Sequence, residues 1–252
     1  MRALVVLLLF SIFSVEYFAV KLELISRYAT LIVEVLSLLI ALVVVYLSVS
    51  LRRWEQPPYY VWLIFAFILS AMIAVVAETV DPGPLISGIR GYFKFLPVFF
   101  LAAVYRFTDK ELKFLLSVFL FIAALQVPLS FYQRFVQFAH LMHTGDPVTG
   151  TVASANSLTM VLCMAIAAVI TLYVYRKLTL IITLILFGFL AAPTAINETK
   201  ATLILLPIAT IGPFLFASNV RDKWRKAVPV FGLGFLGLVA ALGVLLRNAV
   251  WH

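Results

Sequence analysis

Long stretches without a charged side chain constrain this sequence more than any other feature. Several of them run for roughly 20 residues, which is the helical length that crosses a hydrocarbon core of about 30 Å. Hydrophobic residues make up 64% of the chain and charged residues only 12%. Soluble domains average roughly 45–50% apolar and 25% charged residues. The sequence therefore excludes a soluble enzyme, a nucleic-acid-binding domain and a disordered chain.

The apolar pattern predicts an all-α, polytopic bundle of about nine transmembrane helices, forming a single integral membrane domain over residues 1–252. The spans must be helical because lipid offers no water to the backbone N–H and C=O groups. A cleaved signal peptide is an alternative for the first span, but Glu16 interrupts its apolar segment. The predicted spans are 3–20, 28–51, 59–79, 85–106, 111–133, 152–175, 178–196, 200–217 and 228–246.

The distribution of basic residues predicts the orientation of the spans. With nine spans, twelve of the 19 Lys and Arg residues lie on the side of the N-terminus and seven on the other. Cytoplasmic loops carry the excess of Lys and Arg, so the N-terminus is predicted inside and the C-terminus outside. The net charge of +8 is thus explained by membrane topology, and no nucleic-acid partner is predicted.

Two basic residues lie in the first half of the predicted fourth span, near the outer membrane surface. Arg90 and Lys94 are spaced i, i+4 and share one helix face. A pair of cations at this depth suits the phosphates of a lipid-linked substrate, with Arg90 making bidentate contacts. The alternative is that both side chains extend to the interface and contact only lipid headgroups.

The predicted outer loop 134–151 contains Arg134, His140, His143 and Asp146. Two histidines three residues apart suit a metal on a helical turn, but no third ligand has convincing spacing. We therefore predict no metal site and favour an exposed, solvated loop over a metal site for these residues.

Polar residues near the next two helix starts allow a structural and a functional interpretation. Gly150 and small residues precede Asn156, whose side chain is expected to bond between helices. Glu198 and Lys200 lie in a short turn between spans seven and eight. They form either a local ion pair or, if Lys200 faces a polar cavity, a basic outer pocket with Arg90 and Arg134.

Three of these segments, in this order, resemble the O-antigen ligase and O-antigen polymerase family of membrane glycosyltransferases. The first, GIRGYFKFLP (88–97), is similar to the basic segment that opens a central helix in that family. The second, DPVTGTVASAN (146–156), looks like its loop ending in a small residue and Asn. The third, NETK (197–200) followed by LILLP (203–207), resembles its third block.

The resemblance implies an enzyme of cell-envelope polysaccharide assembly that needs no cofactor. Such a glycosyltransferase joins an undecaprenyl-diphosphate-linked glycan to a glycan or lipid acceptor on the outer face of the membrane. Arg90 matches the family's basic position and Lys200 stands where many members have Arg, so both are expected to bind the diphosphate, with Lys94 and Arg134 beside them.

The catalytic residue is less well defined by the resemblance. The family uses an outer histidine as base or activator. The outer candidates here are His140, His143, Asp146 and Glu198. Pro147 and Val148 stand where ligases often have Arg, and the only later histidine is His252. We therefore expect the chain to be the front portion of a longer protein and to be inactive alone.

A secondary transporter or flippase for an anionic or lipid-linked substrate is the alternative from another functional class. Its sequence signature is an inverted repeat with broken helices and polar groups near the membrane midplane. No such repeat is detected, and the polar residues concentrate on the predicted outer side. A membrane scaffold or an inactive relative is a further alternative.

Overall fold

The fold is described from a computed structural model of residues 1–252. The described residues are 1–22, 24–51, 66, 69–70, 72–73, 96–139, 148–152, 154–197, 199–217, 225 and 227–232. Every regular element within these ranges is helical, so the predicted all-α class is confirmed. The count of nine spans and their orientation stay predictions, because much of 59–79, 85–106 and 228–246 falls outside the described residues.

Seven α-helices are given bounds within the described residues. Two of them continue into π-helical turns, at Tyr17–Lys21 and Gln133–Gln137, and a 3₁₀ turn at Arg27–Thr30 precedes another. The α-helices are α1 (Arg2–Glu16), α2 (Leu31–Leu51), α3 (Leu96–Val104), α4 (Asp109–Tyr132), α5 (Ala155–Val174), α6 (Leu180–Ile196) and α7 (Thr202–Phe216).

Four helical segments within the described residues are long and apolar enough to cross a membrane. They are Arg2–Ala19, Leu31–Ser50, Asp109–Gln137 and Ala155–Val174. Two shorter apolar helices, Leu180–Ile196 and Thr202–Phe216, follow them. These helices indicate a membrane protein, as predicted.

The chain divides into two compact units. The first comprises 1–11 and 25–115, and the second 12–24 and 116–252. In the first unit α2 packs against α3, and Ile40 and Leu101 are fully buried. A reciprocal pair opens α4 there, because the Thr108 N–H donates to the Glu111 carboxylate at 3.0 Å and the Glu111 N–H donates to Thr108 Oγ1 at 3.3 Å. This pair satisfies amide groups that the first helical turn leaves without partners.

The second unit is organised around α5, which packs against both α6 and α7. Its buried face is mainly apolar and includes Leu158, Leu162, Ile166 and Ile170, which recur at the four-residue spacing of one helix face. The helix begins where Ser154 Oγ accepts the Ser157 N–H at 3.2 Å. This cap defines the N-terminal end of α5, where the polar residues described next are located.

Candidate functional site

Buried polar side chains gather at one end of the second unit. This end contains the C-terminal ends of α4 and α6 and the N-terminal ends of α5 and α7. We call these side chains and the backbone groups that they bind the polar cluster. It is defined by Gln126, Gln133, Thr149, Gly150, Thr151, Ala155, Thr159, Asn197 and Thr199. Buried polar groups are costly without partners, so their hydrogen bonds show what the cluster holds in place.

Gln133, in the π-helical turn after α4, binds the backbone of the turn that precedes α5. Its side chain is 1% exposed. The Oε1 atom accepts the Gly150 N–H at 2.7 Å and the Thr149 N–H at 3.1 Å, while Nε2 donates to the Gly150 carbonyl at 2.9 Å. One side-chain amide thus satisfies three backbone groups of this turn, the N–H groups of Thr149 and Gly150 and the Gly150 carbonyl.

Gln126 holds the next residue of the same turn. Its Oε1 accepts the Thr151 N–H at 2.8 Å and the Thr151 hydroxyl at 3.1 Å. Its Nε2 donates to the Ile122 carbonyl at 3.3 Å, so both ends of the amide are used. Gln126 and Gln133 are seven residues apart, which places them on one face of a helix and about 10 Å apart along its axis.

Gly150 fits between these glutamines for two reasons. Its φ angle is +59°, a conformation that side chains disfavour. A Cβ atom at this position would also lie 2.5 Å from Gln126 Oε1 and 3.1 Å from Leu158 Cδ1. The glycine singled out in the sequence therefore allows the turn to approach α4 and α5 closely.

Asn197, at the end of α6, joins the turn before α7 to the first turn of α5. Its side chain is 1% exposed. The Nδ2 atom donates to Thr159 Oγ1 at 2.8 Å and to the Ala155 carbonyl at 3.4 Å, and Oδ1 accepts the Thr199 N–H at 3.3 Å. Asn156, expected to bond between helices, is exposed on α5. The asparagine that links helices is Asn197.

The structure describes only part of the predicted site. The segments that contain Gly150 and Asn197 meet in the polar cluster, Lys200 is exposed just before α7, and Arg134 is half-buried in the π-helical turn. Convergence of Arg90, Arg134 and Lys200 in one pocket stays a prediction. The predicted site residues that lie outside the described residues are Arg90, Lys94, His140, His143, Asp146 and Glu198.

The polar cluster consists of amides, hydroxyls and backbone groups, with charge only at its edge. Such groups fix a backbone and donate or accept hydrogen bonds, but they do not ionise near neutral pH. Lys200 adds a positive charge on the exposed side. Within the residues that the structure describes, no three His, Cys, Asp or Glu side chains gather as metal ligands would.

The sequence analysis named Asn197 only as part of the NETK segment, and it did not identify two residues that build the cluster, Gln126 and Gln133. The signal for these two was present, because they are glutamines at a seven-residue spacing in an apolar span. A polar pair on one face of such a span requires buried partners.

Comparison with family models, with curated proteins and with solved structures gives no significant match for this chain. The resemblance to the O-antigen ligase and polymerase family therefore depends on its three sequence segments alone and stays a prediction.

Proposed function

We propose that this protein acts in bacterial cell-envelope polysaccharide assembly. It transfers an undecaprenyl-diphosphate-linked glycan to a glycan or lipid acceptor on the outer face of the inner membrane. The observation that supports this most is the meeting of two segments that resemble the ligase and polymerase family. Asn197 of the third segment donates to the Ala155 carbonyl of the second, 42 residues away in the chain.

The chemistry of the reaction suggests a role for the proposed cations and for the polar cluster beside them. The leaving diphosphate carries negative charge, which cations stabilise without a metal. Lys200 supplies one cation beside the polar cluster, and Arg90, Lys94 and Arg134 are proposed as the others. The polar cluster keeps the backbone near Lys200 rigid, so that the cation is positioned before the substrate binds.

The acceptor hydroxyl needs a base that removes its proton during attack on the anomeric carbon. His140, His143, Asp146 and Glu198 are the candidates for this role. Exchange of each one separately for Gln or Asn keeps the size of the side chain and removes its basic group. In an assay in which the wild-type protein supports transfer, only the exchange of the residue that acts as base should abolish transfer while leaving donor binding unchanged.

Donor binding tests the proposal directly. We expect Lys200→Ala to weaken the binding of an undecaprenyl-diphosphate glycan to the full chain in lipid nanodiscs by roughly tenfold, since a charge-assisted hydrogen bond contributes about 1.5 kcal/mol or more. Lys177→Ala is the matched control, because Lys177 is an exposed lysine just past the other end of α5. Equal affinities for the two variants would contradict the proposal. Movement of the donor across a vesicle membrane without glycan transfer would instead favour a flippase.

A further inference from the structure

Two exposed phenylalanines, Phe131 and Phe135, stack on each other where α4 passes into its π-helical turn. Their ring centroids are 5.9 Å apart, and the angle between the ring planes is 23°. Phe131 is 37% exposed and Phe135 is 56% exposed. We call these two side chains the aromatic pair, and they present an apolar aromatic surface on the exposed side of the helix.

The buried side of the same helical turn belongs to the polar cluster. Gln133, which lies between the two phenylalanines in the sequence, is 1% exposed and binds the backbone of Thr149 and Gly150. At 3.6 residues per turn, residues two apart lie on nearly opposite sides of a helix. The hydrogen bonds of Gln133 therefore fix the turn that carries the aromatic pair.

The position of the aromatic pair along the chain places it at a membrane boundary. Residues 114–133 contain no charged side chain, and Arg134 follows them directly. A helix of about 20 residues crosses the hydrocarbon core. Arg134 therefore lies where the core ends and the headgroup region begins. The aromatic pair lies within one helical turn of that boundary, beside a cation proposed to bind the donor diphosphate.

An interfacial aromatic belt does not explain the aromatic pair. Tyr and Trp are the residues enriched in such belts, because each has an apolar ring and a polar group for the aqueous side. Tyr132, which is 53% exposed, already supplies a ring of this kind here. Phenylalanine has no polar group, so two of them beside an arginine suit a ligand that is apolar directly below its charged group.

We propose that the aromatic pair binds the first isoprene units of the lipid-linked donor, the part of the undecaprenyl chain nearest to the diphosphate. Each isoprene unit has a methyl branch and a double bond, which pack against aromatic rings more closely than a straight acyl chain does. Arg134 has the charge opposite to that of the diphosphate at the depth where the diphosphate joins the chain. This inference rests on the proposed function and adds to it a selection of isoprenoid chains over ordinary lipid chains.

The test compares the binding of two ligands to the full chain in detergent micelles, undecaprenyl diphosphate and a straight-chain alkyl diphosphate of similar length. The wild-type protein should bind the isoprenoid ligand more tightly. Phe131→Ala combined with Phe135→Ala should weaken that binding by roughly tenfold, the loss expected for two aromatic contacts, and the preference between the ligands should disappear. Phe216→Ala is the matched control, because Phe216 is 87% exposed at the end of α7 that lies away from the polar cluster.

A second double variant keeps the test valid if the alanine variant misfolds. Phe131→Leu combined with Phe135→Leu retains apolar side chains without rings and should also lose the preference for the isoprenoid ligand. Retention of the preference by both double variants would overturn the inference while leaving donor binding intact. Equal affinity of the wild-type protein for the two ligands would do the same. A wild-type protein that binds neither ligand would contradict the proposed function itself.

Discussion

Replacing Gly150 by alanine should destabilise the protein more than any other glycine-to-alanine change in its described helices and turns. The glycine has a φ angle of +59°. This left-handed backbone costs a non-glycine residue roughly 1–2 kcal/mol. The new Cβ atom would lie 2.5 Å from Gln126 Oε1, so the Gln126 side chain must move. That movement affects the two hydrogen bonds that this oxygen accepts from Thr151.

The second cost follows from the burial of Gln126, which is 2% exposed. Because its amide is enclosed, the side chain cannot move without losing hydrogen bonds that are worth roughly 0.5–1.5 kcal/mol each. Adding the loss of two bonds to the backbone term gives about 2–5 kcal/mol for Gly150→Ala. Most single substitutions cost roughly 0.5–3 kcal/mol, so this one lies at the upper end of the range or beyond it.

Denaturant unfolding in detergent micelles measures this free energy. Gly188→Ala in α6 is the matched control, because nothing lies within 4 Å of its added Cβ atom. It should be neutral or stabilising by roughly 0.5–1 kcal/mol, as for glycine in a helix interior. In a Gln126→Ala background the cost of Gly150→Ala should fall to the backbone term and the adjustment of Leu158, whose Cδ1 lies 3.1 Å from the added Cβ atom. Equal costs in both backgrounds would refute the role assigned to Gln126.

Three other outcomes are expected. Asn197→Ala should lower the unfolding free energy by about 1–3 kcal/mol, because buried partners lose a donor. Asn156→Ala, at an exposed site, should change this free energy little. Similar losses for the two variants in the same unfolding assay would contradict the assignment of Asn197 as the helix-linking asparagine. Thr108→Ala should cost about 1 kcal/mol through loss of the helix cap, and a silent substitution would argue against that cap. A reporter that is active only outside the cytoplasm should be silent when fused after Lys177 and active after Lys200, and the reverse pattern would invert the predicted topology.

The apolar pattern predicted where the helices lie along the sequence, but not which side chains of each helix are buried within the protein. Predicted span 152–175 corresponds closely to α5 at Ala155–Val174, because length and hydropathy alone define a membrane-crossing helix. The inward face is harder to predict, since lipid and protein interiors are both apolar and the two faces of such a helix look alike. For this reason the Asn156 side chain was expected to bond between helices, although the structure shows it exposed on the surface of α5.

The spacing of Gln126 and Gln133 indicated buried partners, but local sequence could not predict which residues those partners are. The bonds from Gln133 to Gly150 and from Gln126 to Thr151 join residues 17 and 25 positions apart, and they depend on how α4 and the turn before α5 pack. Turn signals in the sequence concern neighbouring residues. Gly150 was named in the sequence analysis with the small residues that precede Asn156, whereas its glutamine partners were not named.

The fit of Gly150 against Gln126 also has an evolutionary consequence. A side chain at position 150 is accommodated at lower cost beside a shorter residue at position 126, since Gln126 Oε1 lies 2.5 Å from the place that a Cβ atom would take. Once position 126 is shortened, the Thr151 N–H and hydroxyl need a new acceptor. Among natural relatives of this chain, positions 126, 150 and 151 should therefore change together, so that their covariation records this packing in sequences alone.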